Sequence, residues 1–74
     1  MISLEVAAEE GHRKYAPMNV EETQELIEAI EEGSIQGING GPYFVINKNT
    51  RRPVGKLDIK NNQELVMLPI VSGG

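Results

Sequence analysis

The residues with the most unusual chemical possibility stand at the end of the chain. Leu68-Pro69-Ile70-Val71-Ser72-Gly73-Gly74 is an apolar, strand-like run that finishes on two glycines. Glycine has no Cβ and adopts dihedrals closed to other residues, so a Gly-Gly backbone can approach a bound ligand closely. From Val71 to Gly74 an extended tail spans roughly 13 Å at ~3.3 Å per residue, enough to leave a globular body and enter a neighbour's site. Taken alone, a terminal Ser-Gly-Gly is a frayed end. Its direct junction with the most apolar segment makes it a candidate site.

Other chemistry-bearing residues are sparse. There is no cysteine, which excludes a disulfide framework, a thiolate metal site and a cysteine nucleophile. His12 is the single histidine and has no evident nucleophile or acid partner for a triad. Asp58 is the only aspartate, no His/Asp/Glu set has metal-ligand spacing, and no carboxylate pair has a context that would separate its pKa values. Gly40-Gly41 is a second, internal diglycine. Without the lysine and following helix of a phosphate-cradling loop, it reads as a turn. Lys48, Arg51 and Arg52 form the one basic cluster, either a solvated turn or a patch that steers an acidic partner. With no catalytic residues and no metal site, the chain reads as the substrate of enzymes rather than an enzyme.

Composition narrows the partners. Eleven acidic against seven basic residues leave a formal charge of -4, which disfavours phosphate-backbone attraction and hence nucleic acid. Tyr15, Tyr43 and Phe44 are too few aromatics for a base-stacking platform. No stretch approaches the ~20 apolar residues of a membrane span, and the first ten residues lack a basic leader. No membrane partner and a cytoplasmic location are the expectations.

The tail needs a body to present it. Ile2, Leu4 and Val6 alternate with Ser3, Glu5 and Ala7, the period of a strand with one buried face. Glu9 to His12 reads as a turn and Arg13 to Met18 as a returning strand, with Pro17 marking an edge or an ending. Asn19, with Glu22 three residues on, forms a capping box. The helix it starts carries Val20, Thr23, Leu26, Ile27 and Ile30 as an apolar stripe and stops at Gly33, although Glu31 and Glu32 oppose the macrodipole in its last turn. After a glycine-rich connection, Pro42 to Ile46 is a third strand, Val54 to Ile59 a short fourth, and Leu65 to Val71 an unbroken apolar last strand. Asn61-Asn62 makes the turn before it, asparagine tolerating the left-handed region. Continuous apolarity implies burial on both faces or a second face kept for a partner. One helix on one face of a mixed four- to five-stranded sheet satisfies this order, with the last strand beside the first. That is an α+β, β-grasp (ubiquitin-like) arrangement over residues 1–71, followed by a 72–74 tail.

This order, with Glu64-Leu65-Val66-Met67-Leu68-Pro69-Ile70-Val71-Ser72 running into Gly73-Gly74, resembles the ubiquitin-like sulfur carriers of thiamine and molybdopterin biosynthesis, the ThiS/MoaD family. The match covers nearly the whole chain. The proline before Ser72 is similar to tails of the molybdopterin branch. Lys60-Asn61-Asn62-Gln63-Glu64 replaces the family's usual Asp-Gly-Asp turn, with Asn62 able to stand for the glycine.

The resemblance implies a chemistry for Gly74. An E1-like adenylating enzyme (ThiF/MoeB-like) drives the terminal carboxylate onto the α-phosphate of ATP, giving an acyl-adenylate and pyrophosphate. The mixed anhydride is open to a sulfur or amine nucleophile, as a carboxylate is not. ATP is consumed by the partner and no cofactor is bound to the chain; the second partner is a sulfur-accepting synthase. By analogy with ubiquitin-like folds, Leu65 and Met67 face the core and Val66, Leu68 and Ile70 form an exposed apolar row that continues through Val71 and Ser72 as the partner-binding surface. The opposite parity is the alternative.

Three functions follow. The first is a sulfur carrier in which Gly74 becomes a thiocarboxylate. The second is a protein modifier joined through Gly74 to lysines of other proteins. The third is a passive binding module in which Gly73 and Gly74 do nothing.

Overall fold

A computed structural model describes residues 1–71 of the 74-residue chain. Strand β1 (Ile2–Ala8) keeps the expected alternation: Ile2, Leu4 and Val6 are at most 1% exposed, with Ser3 and Glu5 half-buried between them. Strand β2 (Gly11–Met18) returns antiparallel, and the register passes from Leu4↔Tyr15 to Ile2↔Met18. The extra residue in β2 therefore falls at Ala16-Pro17, where proline has no amide to give to the ladder.

Helix α1 (Val20–Glu32) begins where Asn19 and Glu22 cap each other: Glu22 N–H donates to Asn19 Oδ1 at 2.7 Å and Asn19 N–H to Glu22 Oε1 at 3.0 Å. Thr23 is fully buried, and its hydroxyl donates to the Asn19 carbonyl at 2.7 Å, so the polar group in the apolar stripe is satisfied. At the other end Gly33 takes φ 79°. Its N–H donates to Ile30 O at 3.0 Å and Ser34 N–H to Ala29 O at 2.9 Å, the paired bonds of a Schellman cap. The last turn carries no basic residue.

The connection back to the sheet is held in two places. Gly40 lies against the helix end, where an added Cβ would meet Gly33 Cα and N at 2.8 Å, while Gly41 N–H donates to Glu31 O at 2.9 Å. The internal diglycine is thus a close backbone crossing. Gly40→Ala is expected to cost about 1–3 kcal/mol through overpacking against backbone that cannot step aside, measured by urea unfolding. Farther along, Arg13 reaches from β2: Nε and Nη2 donate to the Glu10 carboxylate at 2.7 and 2.8 Å, and Nη1 to Tyr15 Oη at 3.1 Å and Gln36 O at 3.0 Å. Beside this latch Glu9 N–H donates to Gly37 O at 2.8 Å.

The Arg13 hydrogen bonds hold the Glu10 carboxyl below the usual carboxylate range, and Glu10 in turn raises the Arg13 guanidinium. A carboxyl depressed in the folded state favours folding above its unfolded pKa, and that contribution is lost as pH falls through the folded value. The Glu9 amide is therefore expected to lose protection from hydrogen exchange in Arg13→Met at neutral pH, and in the unaltered protein under acid.

Strands β3 (Tyr43–Asn47) and β4 (Glu64–Pro69) complete a mixed sheet of order β2-β1-β4-β3, in which β1 and β4 run parallel at the centre and the other pairs are antiparallel. Buried side chains of β1 and β4 meet Ile27 and Ile30 of α1 in one core cluster, so the described chain is α+β, one helix on a four-stranded mixed sheet. Asn62, at φ 68°, makes the turn into β4.

One expected strand is absent. Val54 to Ile59 forms no fourth strand: Pro53 makes an isolated bridge to Ile46, and the chain turns at Gly55 into a 3-10 helix, Lys56–Asp58, closed by Asp58 N–H donating to Gly55 O at 2.9 Å. Pro53 has no amide for a ladder and Gly55 has no side chain to pack on one. Ile59 still reaches the core at 5% exposure, whereas Leu57 is 93% exposed. The last strand also ends earlier than Val71, at Pro69, although Ile70 N–H still donates to Pro42 O at 3.1 Å.

Candidate functional site

β4 is central, so its two faces have different neighbours. Leu65 and Met67 are 1% exposed on the helix side. Val66 is half-buried, and Leu68 and Ile70 are 45% and 39% exposed. Strand alternation places Val66 and Leu68 on the face away from α1, and Ile70 follows just beyond the strand. The expected parity is the one observed, and the apolar run of β4 divides into a core face and an outer face.

β3 widens that outer face. Phe44 stands opposite Leu68 and Ile46 opposite Val66 in the antiparallel register. Phe44 is 52% exposed, and such directly facing pairs interact at about 0.2–1 kcal/mol each. Phe44 and Ile46 belong to the patch and were not among the residues expected there. Their signal is the alternation within Tyr43-Phe44-Val45-Ile46, but assigning it to a face requires the pairing with β4.

The other half of the outer face is polar. Glu5 lies level with Val66 on one side and Lys14 on the other. Lys48 Nζ, from just beyond β3, donates to Glu5 Oε1 at 3.3 Å. That ion pair crosses β4 beside Val66 and bounds the apolar patch. Its side chains are partly exposed, so it contributes little stability and acts mainly as a border. Arg51 and Arg52 are exposed in the turn that Asn47 organises by accepting from the Asn49 and Thr50 amides at 2.8 and 3.1 Å. The basic cluster is thus a solvated turn with Lys48 diverted to Glu5.

β4 directs the chain from this patch toward the tail. Ile70 remains tied to Pro42, and Val71 is 83% exposed. Ser72, Gly73 and Gly74, the expected contact and activated residues, lie outside the described residues. Among the described residues, no group of three or more His, Cys, Asp or Glu could hold a metal ion, and no helix is long and apolar enough to cross a membrane. His12 is exposed near the start of β2.

No protein-family model, no curated protein and no solved structure matches the chain.

Proposed function

We propose that the chain is a β-grasp sulfur carrier of the ThiS/MoaD kind. An E1-like activating enzyme grips the outer face of β4 and adenylates the Gly74 carboxylate. A carboxylate oxygen attacks the α-phosphorus of ATP and pyrophosphate leaves. Hydrosulfide then attacks the acyl carbon, AMP leaves, and Gly74 ends as a thiocarboxylate whose sulfur passes to a synthase of thiamine or molybdopterin biosynthesis. The carrier's own residues perform none of these steps; they present the carboxylate and supply the contact.

The observation that carries this reading is the continuity of β4. One central strand holds the core with Leu65 and Met67, offers Val66 and Leu68 outward, and is followed in the chain by exposed Ile70 and Val71 and then by Ser72-Gly73-Gly74. Ordering two glycines in a partner's channel costs about 1–2 kcal/mol per residue. The apolar patch precedes that segment in the chain and offsets the cost by burial. The strand order and central parallel pair also agree with a β-grasp.

The test is the intact mass of untagged protein isolated from its native host without reductant or harsh nucleophile. Replacement of one oxygen by sulfur at Gly74 is the expected result. An unmodified mass together with Gly74-linked peptides on other proteins would replace the carrier by a protein modifier.

A further inference from the structure

A cleft of about 350 Å³ opens at the β3 edge of the sheet, between α1 and the 53–59 segment, with Phe44 at its rim. Its apolar walls are Ile27 of α1, Val45 of β3, and Val54 and Ile59 of the segment that failed to become a strand. That segment is pinned across the helix by the Lys56–Glu28 ion pair and by Gln24 Nε2 donating to Lys56 O at 3.0 Å.

One side of the cleft is an incomplete sheet edge. The amides and carbonyls of even-numbered β3 residues face β4, as Lys48 N–H to Glu64 O and Ile70 N–H to Pro42 O show; those of odd-numbered residues face outward. Asn47 N–H reaches Arg52 O at 2.9 Å and Val45 O accepts from Val54 N–H at 2.8 Å. There the cover stops, because the chain turns away at Gly55. Among the described residues Tyr43 N–H, Tyr43 C=O and Val45 N–H have no protein partner. Such a row of backbone groups is the template for strand addition by an extended peptide.

Charge selects the peptide. Glu31 lines the cleft and has no ion-pair partner among the described residues. It sits at the negative end of the helix dipole, next to Glu32 and without a basic residue in that turn. Lys56, the one cation in the lining, is engaged by Glu28.

We propose that this cleft takes an extended, apolar and basic peptide segment of a partner protein. The segment adds to the sheet as a short fifth strand along Tyr43–Val45, sets an apolar side chain between Ile27 and Ile59, and places a lysine or arginine at Glu31.

The probe is a capped Val-Thr-Ile-Thr-Lys peptide, whose valine, isoleucine and lysine share one face, titrated into isotopically labelled full-length protein. Shifts and slowed hydrogen exchange are expected at the Tyr43 and Val45 amides. Replacing the peptide lysine by glutamate weakens binding by about fivefold, within the range of a partly exposed ion pair, and Glu31→Lys reverses that preference. N-methylation of one alternate set of peptide amides abolishes binding, whereas methylation of the other set leaves it within about twofold. Shifts centred on Val66, Leu68 and Ile70, equal effects of both methylation sets, or no binding at millimolar peptide would overturn the proposal. So would protection of Tyr43 and Val45 by raised protein concentration alone, which would assign the edge to a second copy of the chain.

Discussion

Deleting Gly74, or adding one residue after it, is expected to abolish adenylation by the activating enzyme while the protein melts within about 2–4 °C of the unaltered chain. The two halves of this result have separate causes. The core cluster lies within residues 1–71, so a change at position 74 removes no buried contact described for the fold. The reacting carboxylate, in contrast, moves by one residue, about 3.3–3.6 Å along an extended chain. In-line attack on the α-phosphorus tolerates far less, since a misplacement of about 1 Å already costs on the order of 10²-fold. ATP–pyrophosphate exchange with the purified activating enzyme measures the first half and a thermal melt the second. Exchange retained by either variant sinks the carrier and modifier readings together, because both require Gly74 to be activated. Lost exchange with retained fold, combined with sulfur in the intact mass, leaves the carrier alone.

How much of this was legible in the sequence depends on whether the determining interactions are local. Both ends of α1 are written within a few residues of the chain. Asn19 and Glu22 exchange their bonds three positions apart, and Gly33 turns left-handed beside the carbonyls it caps. The alternation of Ile2, Leu4 and Val6 likewise needs only a period of two. What escaped depends on pairing between distant segments. Val54 to Ile59 has strand-forming residues, but its Pro53 and Gly55 leave it a single bridge to β3 and a 3-10 turn. Phe44 and Ile46 join the outer patch only through the register with Leu68 and Val66. The Arg13 latch spans 23 positions to Gln36, and no local pattern announces it. In the last strand an uninterrupted apolar run hides its own parity, and two neighbouring residues decide it.

Leu68→Glu and Met67→Glu should therefore have opposite consequences. Leu68 is 45% exposed and Met67 is 1% exposed. At Leu68 a carboxylate projects into water. The fold loses the pairing with Phe44, about 0.2–1 kcal/mol, and a melt should fall by only a few degrees. The activating enzyme, however, meets a charge at the centre of the apolar patch. Desolvating that charge without a partner, on top of the lost leucine contact, should weaken binding about 30-fold or more, the size expected when an interface anchor is removed. At Met67 the same carboxylate would enter the core cluster with Leu4, Val6 and Ile30. An unpaired buried charge costs about 3–5 kcal/mol, a large share of the about 5–15 kcal/mol that holds a domain together, so Met67→Glu should be largely unfolded at 37 °C. Circular dichroism separates the variants by stability, and calorimetry with the activating enzyme separates Leu68→Glu from the unaltered chain. Lys14→Ala, on the polar half of the same sheet face, should leave both readings unchanged. A folded Leu68→Glu that binds as well as the unaltered protein would remove the outer face of β4 from the proposed contact and leave recognition to the tail.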